Sequence, residues 1–428
     1  MIDAAIAFSF IDDLTAPLYY ADNGRPPLDP TLMFKALFVG YLFGVRSERQ
    51  LVREIEVNVA YRWFLRLKLT EKVFDASTLS QNRRRRYQDE SVAQAIFDRI
   101  VEQAIAHKLV EGTTLYTDST HLKANANKKK FDVELAAKSR ASYWADLDAA
   151  IDEDRAAHGK QPLKPAERTP EIKPTKISRV DSEAGYMVRD DKPKGFFYLD
   201  HRTVDGKLGV ITDTFATPAN VHDSIPYLGR LDRQRERFGF EVKTVGLDSG
   251  YATAAIAKGL EDRAIDAVTG YRNPTPPAPG MMRKSKFVYD PALDAYRCPQ
   301  GQAIAYATTD RTGYRHYKSD PAVCAPCPLR ASCTSNAKAQ RTITRHVWQD
   351  AREKVDANRL TAWGKLVYAR RKETVERSFA DAKQLFGHRY ARFRGLMRVQ
   401  CQCLLAAAAQ NIKKIALVIA GRTSPKPA

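Results

Sequence analysis

Apolar residues recur at helical spacing through the first hundred residues and change to strand-like runs from residue 112 onward. Asp29-Pro30 is a helix start, with an acidic N-cap and proline at the first helical position. Leu32, Met33, Ala36, Leu37 and Tyr41 then mark one apolar face, and Gly44 closes the helix. Ser47-Glu48-Arg49-Gln50 reads as a capping box opening the next helix. Val59 to Leu67 reads as a further short helix. Asp75-Ala76-Ser77-Thr78-Leu79 starts another, which carries Arg83, Arg84, Arg85 and Arg86. Residues 26 to about 107 are thus expected to form a compact helical unit.

Thr113–Asp118 is the first predicted strand. Gly195–Asp200 and Leu208–Phe215 read as the next two, joined by the turn Val204-Asp205-Gly206-Lys207. A helix over 221–237, a strand over 242–248, a helix from Thr253 to about Asp262 and a strand over Ile265–Thr269 follow. Two insertions interrupt the pattern. Residues 123–192 contain Lys128, Lys129 and Lys130, a helical stretch near 132–157 and a Lys/Pro-rich, extended segment 160–176. Residues 271–350 contain a proline run (273–279) and then four cysteines.

A net charge of +19 and a pI near 9.6 point to a polyanionic partner. No signal peptide and no apolar run long enough to span a membrane is read, so a cytoplasmic chain with reduced cysteines is expected. Cys298, Cys324, Cys327 and Cys333 lie in one basic, proline-rich insertion, and only Cys324 and Cys327 have tight metal-ligand spacing; the four fit a zinc knuckle. Cys401 and Cys403 cannot share one helix face and read as buried thiols. His121, His222 and His388 read as turn or packing residues.

Three carboxylates carry the candidate chemistry. Asp118 and Asp248 each end a predicted strand, and Glu376 lies on a helical stretch from Tyr368 to Phe386. On that stretch Val375, Phe379, Ala382 and Phe386 form an apolar stripe, with Glu376 and Lys383 one above the other on its flank. A carboxylate held this way can face aspartates at strand ends and share two divalent cations with them, an arrangement suited to phosphodiester chemistry. A lysine on the same face can meet a phosphate. Glu373 is a rival third carboxylate, without a lysine at the corresponding offset.

These residues carry a resemblance. The chain resembles bacterial insertion-sequence DDE transposases of the group whose third carboxylate lies in a Tyr-x2-Arg-x3-Glu-x6-Lys signature. The likeness runs over nearly the whole chain. It includes Gly24–Pro30, Phe74–Leu79, Thr117–Leu122, Thr217–Asp223, Gly246–Tyr251 and Thr374–Lys383. It implies an α/β fold, an RNase H-like catalytic domain with insertions, preceded by an all-α, helix-turn-helix-like N-terminal domain. The element order agrees with that. The expected divisions are 1–110 (DNA-binding helices), 111–270 (first catalytic part, with insertion 123–192), 271–350 (cysteine insertion), 351–420 (completing helices) and 421–428 (disordered tail).

The resemblance further implies that Asp118, Asp248 and Glu376 form a catalytic triad on Mg²⁺, with Mn²⁺ able to substitute, and that Lys383 is a helper lysine. Arg83, Arg84, Arg85, Arg86, Lys128, Lys129, Lys130 and Arg371 are expected to contact DNA. Partners would be double-stranded DNA, as element ends and target, and a second copy of the chain on that DNA, near the bacterial nucleoid. One departure stands: Tyr368 and Arg371 fit the first half of the signature, but Arg371 is one position too far from Glu376, and Lys372 occupies the expected place. A stand-alone metal-dependent nuclease and a non-cutting DNA-binding regulator are the alternative readings.

Overall fold

The computed structural model describes residues 1–19, 28–87, 89–138, 141–164, 171–188, 194–271, 274–275 and 277–421. Parts of the 24–30 motif, the segment 160–176 and the proline run 273–279, and the tail from residue 422, lie outside the described residues.

Seven helices come first: α1 (Ile2–Ala5), α2 (Phe10–Thr15), α3 (Pro30–Leu42), α4 (Glu48–Val57), α5 (Val59–Phe64), α6 (Ala76–Arg85) and α7 (Ser91–Ala106). The expected caps form. Asp29 accepts the Leu32 N–H at 2.9 Å, Ser47 that of Gln50 at 3.4 Å and Asp75 that of Ser77 at 2.7 Å. Against the one-faced expectation, α3 is buried on most sides, from Met33 through Tyr41 apart from Leu37.

Next come β1 (Thr114–Lys123), β2 (Phe131–Lys138), α8 (Ala141–Ala157), β3 (Glu171–Ser178), β4 (Gly185–Met187), β5 (Gly195–Asp205) and β6 (Ile211–Pro218). They are followed by α9 (Ser224–Phe238), β7 (Thr244–Leu247), α10 (Ala254–Glu261) and β8 (Asp266–Thr269). The main sheet runs β8-β7-β1-β5, and β4 and β6 share the far edge of β5. β5 is antiparallel to β1 and β6, whereas β7 is parallel to β1 and β8. Counting β1, β5, β6, β7 and β8 as strands one to five, the order is 3-2-1-4-5, as expected of an RNase H-like sheet. Gly246 sits opposite Tyr116, and a Cβ there would fall 2.6 Å from the buried Tyr116 ring, so this rung needs glycine.

Three expectations are corrected here. β1 does not end at Asp118 but continues to Lys123, because its outer half stays paired with β5. The first insertion is not helical from 132: β2 and β3 pair antiparallel around α8. The second insertion is more than a knuckle. β9 (Val288–Asp290), β10 (Ala295–Arg297), β11 (Ala303–Thr309), β12 (Tyr314–Lys318) and β13 (Thr342–His346) form a sequential antiparallel sheet. Phe287, Tyr296, Ile304, Tyr317 and Ile343 give it a core of its own. Two short helices, α11 (Pro321–Cys324) and α12 (Arg330–Cys333), carry Cys324 and Cys333, and Cys327 lies between them.

The chain closes with α13 (Gln349–Asn358), α14 (Ala362–Ala369), α15 (Val375–Leu385) and α16 (Leu396–Ile419). By length and composition α16 could cross a membrane, a run the sequence reading did not find. In the fold it is mostly buried, and its polar positions explain why it lies at the centre. Gln400 accepts the Ala216 N–H and donates to Thr214 O, while Asn411 accepts the Ile211 N–H and donates to Ile211 O. Two side-chain amides thus satisfy backbone groups of the edge strand β6 that no other strand reaches. The fully buried run Ala406–Ala409 lets α7 and β6 approach α16 closely. Residues of α3, α7, β1, β7 and α16 share one apolar core, which runs across the expected boundary at residue 110.

Candidate active site

β1 and β7 are parallel neighbours with Thr117 opposite Leu247, so the next residue on each, Asp118 and Asp248, emerges on adjacent chains. Glu376 comes from the first turn of α15, whose stripe of Val375, Phe379, Ala382 and Phe386 is buried as expected. The three carboxylates converge on one guanidinium. Arg371 Nη2 lies 2.7 Å from Asp118 Oδ2, and Nη1 lies 3.7 Å from Asp248 Oδ1 and 3.9 Å from Glu376 Oε1. The Arg371 side chain is 3% exposed, Asp118 21%, and Asp248 and Glu376 46% each. The acids therefore open to solvent over a buried cation.

Arg371, expected to touch DNA, is instead buried inside the site. The signature departure explains how. On a continuous helix, residues five apart point about 140° from one another, so Arg371 and Glu376 would diverge. The chain breaks between them. α14 gives way to a 3-10 turn over Arg370–Lys372, and Thr374 leaves helical geometry (φ −106°, ψ −97°) before α15 begins. The extra residue is absorbed there. Tyr368, at the end of α14, accepts from Arg371 Nη1 at 3.2 Å. Its hydroxyl packs where a Cβ on Gly270 would stand 2.8 Å away, so glycine makes room for it. The predicted unbroken helix Tyr368–Phe386 is corrected on the same grounds. Glu373 lies in the break, exposed, and is not among the carboxylates around Arg371.

Burial pushes the Asp118 carboxyl up to about 6. Arg371 and the Ser119 N–H pull against that rise, and repulsion from Asp248 and Asp223 adds to it. Asp223 went unassigned in the sequence reading. It stands at the start of α9 without capping it, and its Oδ1 accepts from Ser119 Oγ at 2.9 Å. The Thr217–Asp223 motif was the signal that pointed to it. The Tyr251 hydroxyl is buried nearby and has no hydrogen-bond partner among the described residues. Burial, then Asp223, Asp118 and Asp248, push it well above its ordinary range. Four carboxylates and an orphaned hydroxyl are hard-oxygen donors of the kind that suits a divalent cation such as Mg²⁺, although no three of the carboxylates have oxygens within 4.8 Å of one another. Lys383 lies two turns along α15 from Glu376, half-buried.

The other expected residues lie elsewhere. Arg84, Arg85 and Arg86 are exposed, whereas Arg83 turns inward, pairs with Glu48 and lies over the Phe393 ring. Lys128, Lys129 and Lys130 are exposed between β1 and β2. Cys298, Cys324, Cys327 and Cys333 line one small cavity of about 60 Å³. Among the described residues the one trio of possible ligand atoms mutually within 4.8 Å is Asp200, His388 and Cys403, so the four sulfurs are more widely spread than that. In that trio Asp200 is already held by Arg202 at 2.9 Å, Thr214 at 2.6 Å and His388 at 2.8 Å. Burial opposes its charge, but Arg202 and His388 outweigh it and keep the carboxyl well below its usual range. Arg202 also donates to Ser378 and Gln410, tying β5 to α15 and α16 behind Glu376.

Residues 297–416 match the family model of a transposase DDE domain, and residues 1–85 match that of a transposase domain (DUF772). Together these support a DDE transposase. The DDE-domain match includes Glu376, Arg371 and Lys383 but not Asp118 or Asp248. No curated protein matches the chain. Among solved structures, a piggyBac transposase synaptic complex with hairpin DNA is 10% identical, with a TM-score of 0.35, covering 98% of this chain and 74% of that one. A Mos1 transposase paired-end complex with the left transposon end is 12% identical, with a TM-score of 0.18, covering 58% and 61%. Neither likeness is close enough to bear on the fold of this chain, for which its own strand order speaks.

Proposed function

We propose that this chain is a transposase of the bacterial insertion-sequence kind, which binds the ends of its own element, cleaves them and joins them to target DNA. The observation that carries the reading is the convergence of Asp118, Asp248 and Glu376 on Arg371 from three separate elements. The three carboxylates would hold Mg²⁺, with Mn²⁺ able to replace it. Such ions, when bound, activate a water or a DNA 3′-hydroxyl as nucleophile and stabilise the leaving oxygen.

The chain's own residues do the rest. Arg371 holds the carboxylates on one side of the site and offsets their mutual repulsion while no metal is bound. Tyr368 fixes the guanidinium from behind. Lys383, on the face of Glu376, meets a phosphate of the bound strand. Exposed Arg84, Arg85, Arg86, Lys128, Lys129 and Lys130 neutralise backbone phosphates along the duplex. A zinc ion held by Cys298, Cys324, Cys327 and Cys333 would draw the loops around α11 and α12 together. Synapsis of two ends calls for two copies of the chain on DNA in the bacterial cytoplasm.

The test uses the purified full chain, Mg²⁺ and DNA carrying the element end. Asp118→Asn, Asp248→Asn and Glu376→Gln should each abolish cleavage and leave end binding intact. Glu373→Gln should cleave normally. Wild-type cleavage by any of the first three variants removes that residue from the site. Cleavage without joining in the wild type would favour a plain nuclease.

A further inference from the structure

A cleft of about 490 Å³ lies away from the three carboxylates, where α3, α4, α6 and α7 meet the start of α16. Five arginines line it: Arg46, Arg83, Arg84, Arg392 and Arg398. Its two acids are already engaged, Glu48 with Arg83 and Asp89 with the Ser91 N–H at 2.9 Å. Arg392 is the most telling. Its guanidinium lies over the Tyr41 ring, 4.2 Å from the centroid, and Nε and Nη2 are buried without a hydrogen-bond partner. Among the described residues no carboxylate pairs with it. Two buried guanidinium nitrogens left without an acceptor are costly, so the site is incomplete without an anion.

The walls narrow the choice of anion. Phe34, Leu37, Phe393 and Met397 give the cleft an apolar side. A simple anion would satisfy Arg392 and leave that side empty. An apolar ligand would fill it and leave the guanidinium unpaired. A nucleotide does both, with its phosphate on Arg392 and its base against the aromatic and guanidinium faces. A base inside a duplex is paired and stacked, so it cannot enter; the nucleotide must be unpaired.

The position agrees. The loop from α15 to α16 reads His388-Arg389-Tyr390-Ala391-Arg392-Phe393-Arg394, arginines interleaved with aromatics, directly after the helix bearing Glu376 and Lys383. It is pinned to the end of β1: the Lys123 N–H donates to Arg389 O at 3.1 Å and the Ala391 N–H to Lys123 O at 2.9 Å. Lys123 is five residues along β1 from Asp118, about 17 Å at strand spacing. A strand end leaving the carboxylates can reach the cleft within a few nucleotides.

We propose that this cleft binds an unpaired nucleotide of the DNA being processed, with Arg392 as its phosphate anchor and Phe393 as part of its base wall. The inference rests on the DNA-cutting reading above. The test measures binding of the full chain to a labelled single-stranded oligothymidylate of about 12 nucleotides and to a duplex of equal length, with free dTMP as competitor. Arg392→Gln and Phe393→Leu should each weaken single-strand binding at least about five-fold and duplex binding less than about two-fold. Phe393→Leu keeps an apolar wall, so the test stands even if Arg392→Gln unfolds, which a melting curve would reveal. Equal losses on both DNAs, or none, overturn the proposal, as does dTMP displacing the oligonucleotide at equal molar concentration. Wild-type chain that binds neither DNA overturns the DNA-cutting reading itself, and this inference with it.

Discussion

Asp118→Asn should make the metal-free protein more stable, although it removes an ion pair. In the fold the Asp118 carboxyl is raised from 3.8 to about 6, with burial the largest cause, despite Arg371 at 2.7 Å. A raised acid binds its proton more tightly folded than unfolded. The contribution of Asp118 to stability is therefore greatest below pH 4 and is lost as pH rises through 6, where the native carboxyl ionises. At about 1.4 kcal/mol per pH unit the ionised carboxylate costs up to about 3 kcal/mol at pH 7.5. The side chain is 21% exposed, and solvent screening lowers this to about 1–3 kcal/mol. Asparagine matches the protonated acid in shape and carries no charge. Urea unfolding at pH 7.5 with a chelator should show the variant more stable by that margin, and at pH 4 the two proteins should coincide. Adding Mg²⁺ should stabilise the wild type by mass action and leave the variant unmoved. A variant less stable than wild type at pH 7.5 would mean that the Arg371 pair outweighs desolvation, and would refute the reasoning.

Arg371→Gln should bind Mn²⁺ several-fold more tightly than wild type in calorimetric titration without DNA, because the buried guanidinium competes for the same carboxylates, and should still fail to cleave; unchanged or weaker Mn²⁺ affinity would remove Arg371 from that role. Gln400→Leu strands the Ala216 N–H and Thr214 O in the interior, and should cost about 2–5 kcal/mol in chemical denaturation, whereas a loss below about 1 kcal/mol would mean that water reaches this edge of β6. Elemental analysis of purified chain should find about one zinc, lost in the Cys324→Ser/Cys327→Ser double variant. Metal-free wild type of ordinary stability would leave four plain thiols.

Much of the chain could be read locally because its signals are local. Asp29, Ser47 and Asp75 cap helices through hydrogen bonds two or three residues away, and those contacts form wherever the helix finally lies. The strands and the types of the three carboxylates were legible for the same reason: alternation and turn residues report on the next few positions. Straight-helix counting failed at Arg371, since the break at Thr374 is imposed by packing Tyr368 over Gly270 and Arg371 over the acids. A basic residue next to a conspicuous signature was read as a DNA contact, and only the fold shows it buried among carboxylates.

The sequence by itself determined most helices and strands outside the two insertions, and that two aspartates and a glutamate stand where a sheet edge could gather them. Tertiary structure alone decided which charges meet. Asp118 titrates high because burial strips its water, Asp223 joins the site because α9 begins beside β1, and Arg392 stays unpaired because the two acids of its cleft are engaged elsewhere. The long apolar run of α16 is equally ambiguous in one dimension. Its glutamines and asparagine become sensible only once β6 lies alongside with backbone groups to satisfy. Propensity acts over a turn or two of chain, whereas desolvation and charge pairing act through space between residues hundreds of positions apart, and those are the terms that shape the site.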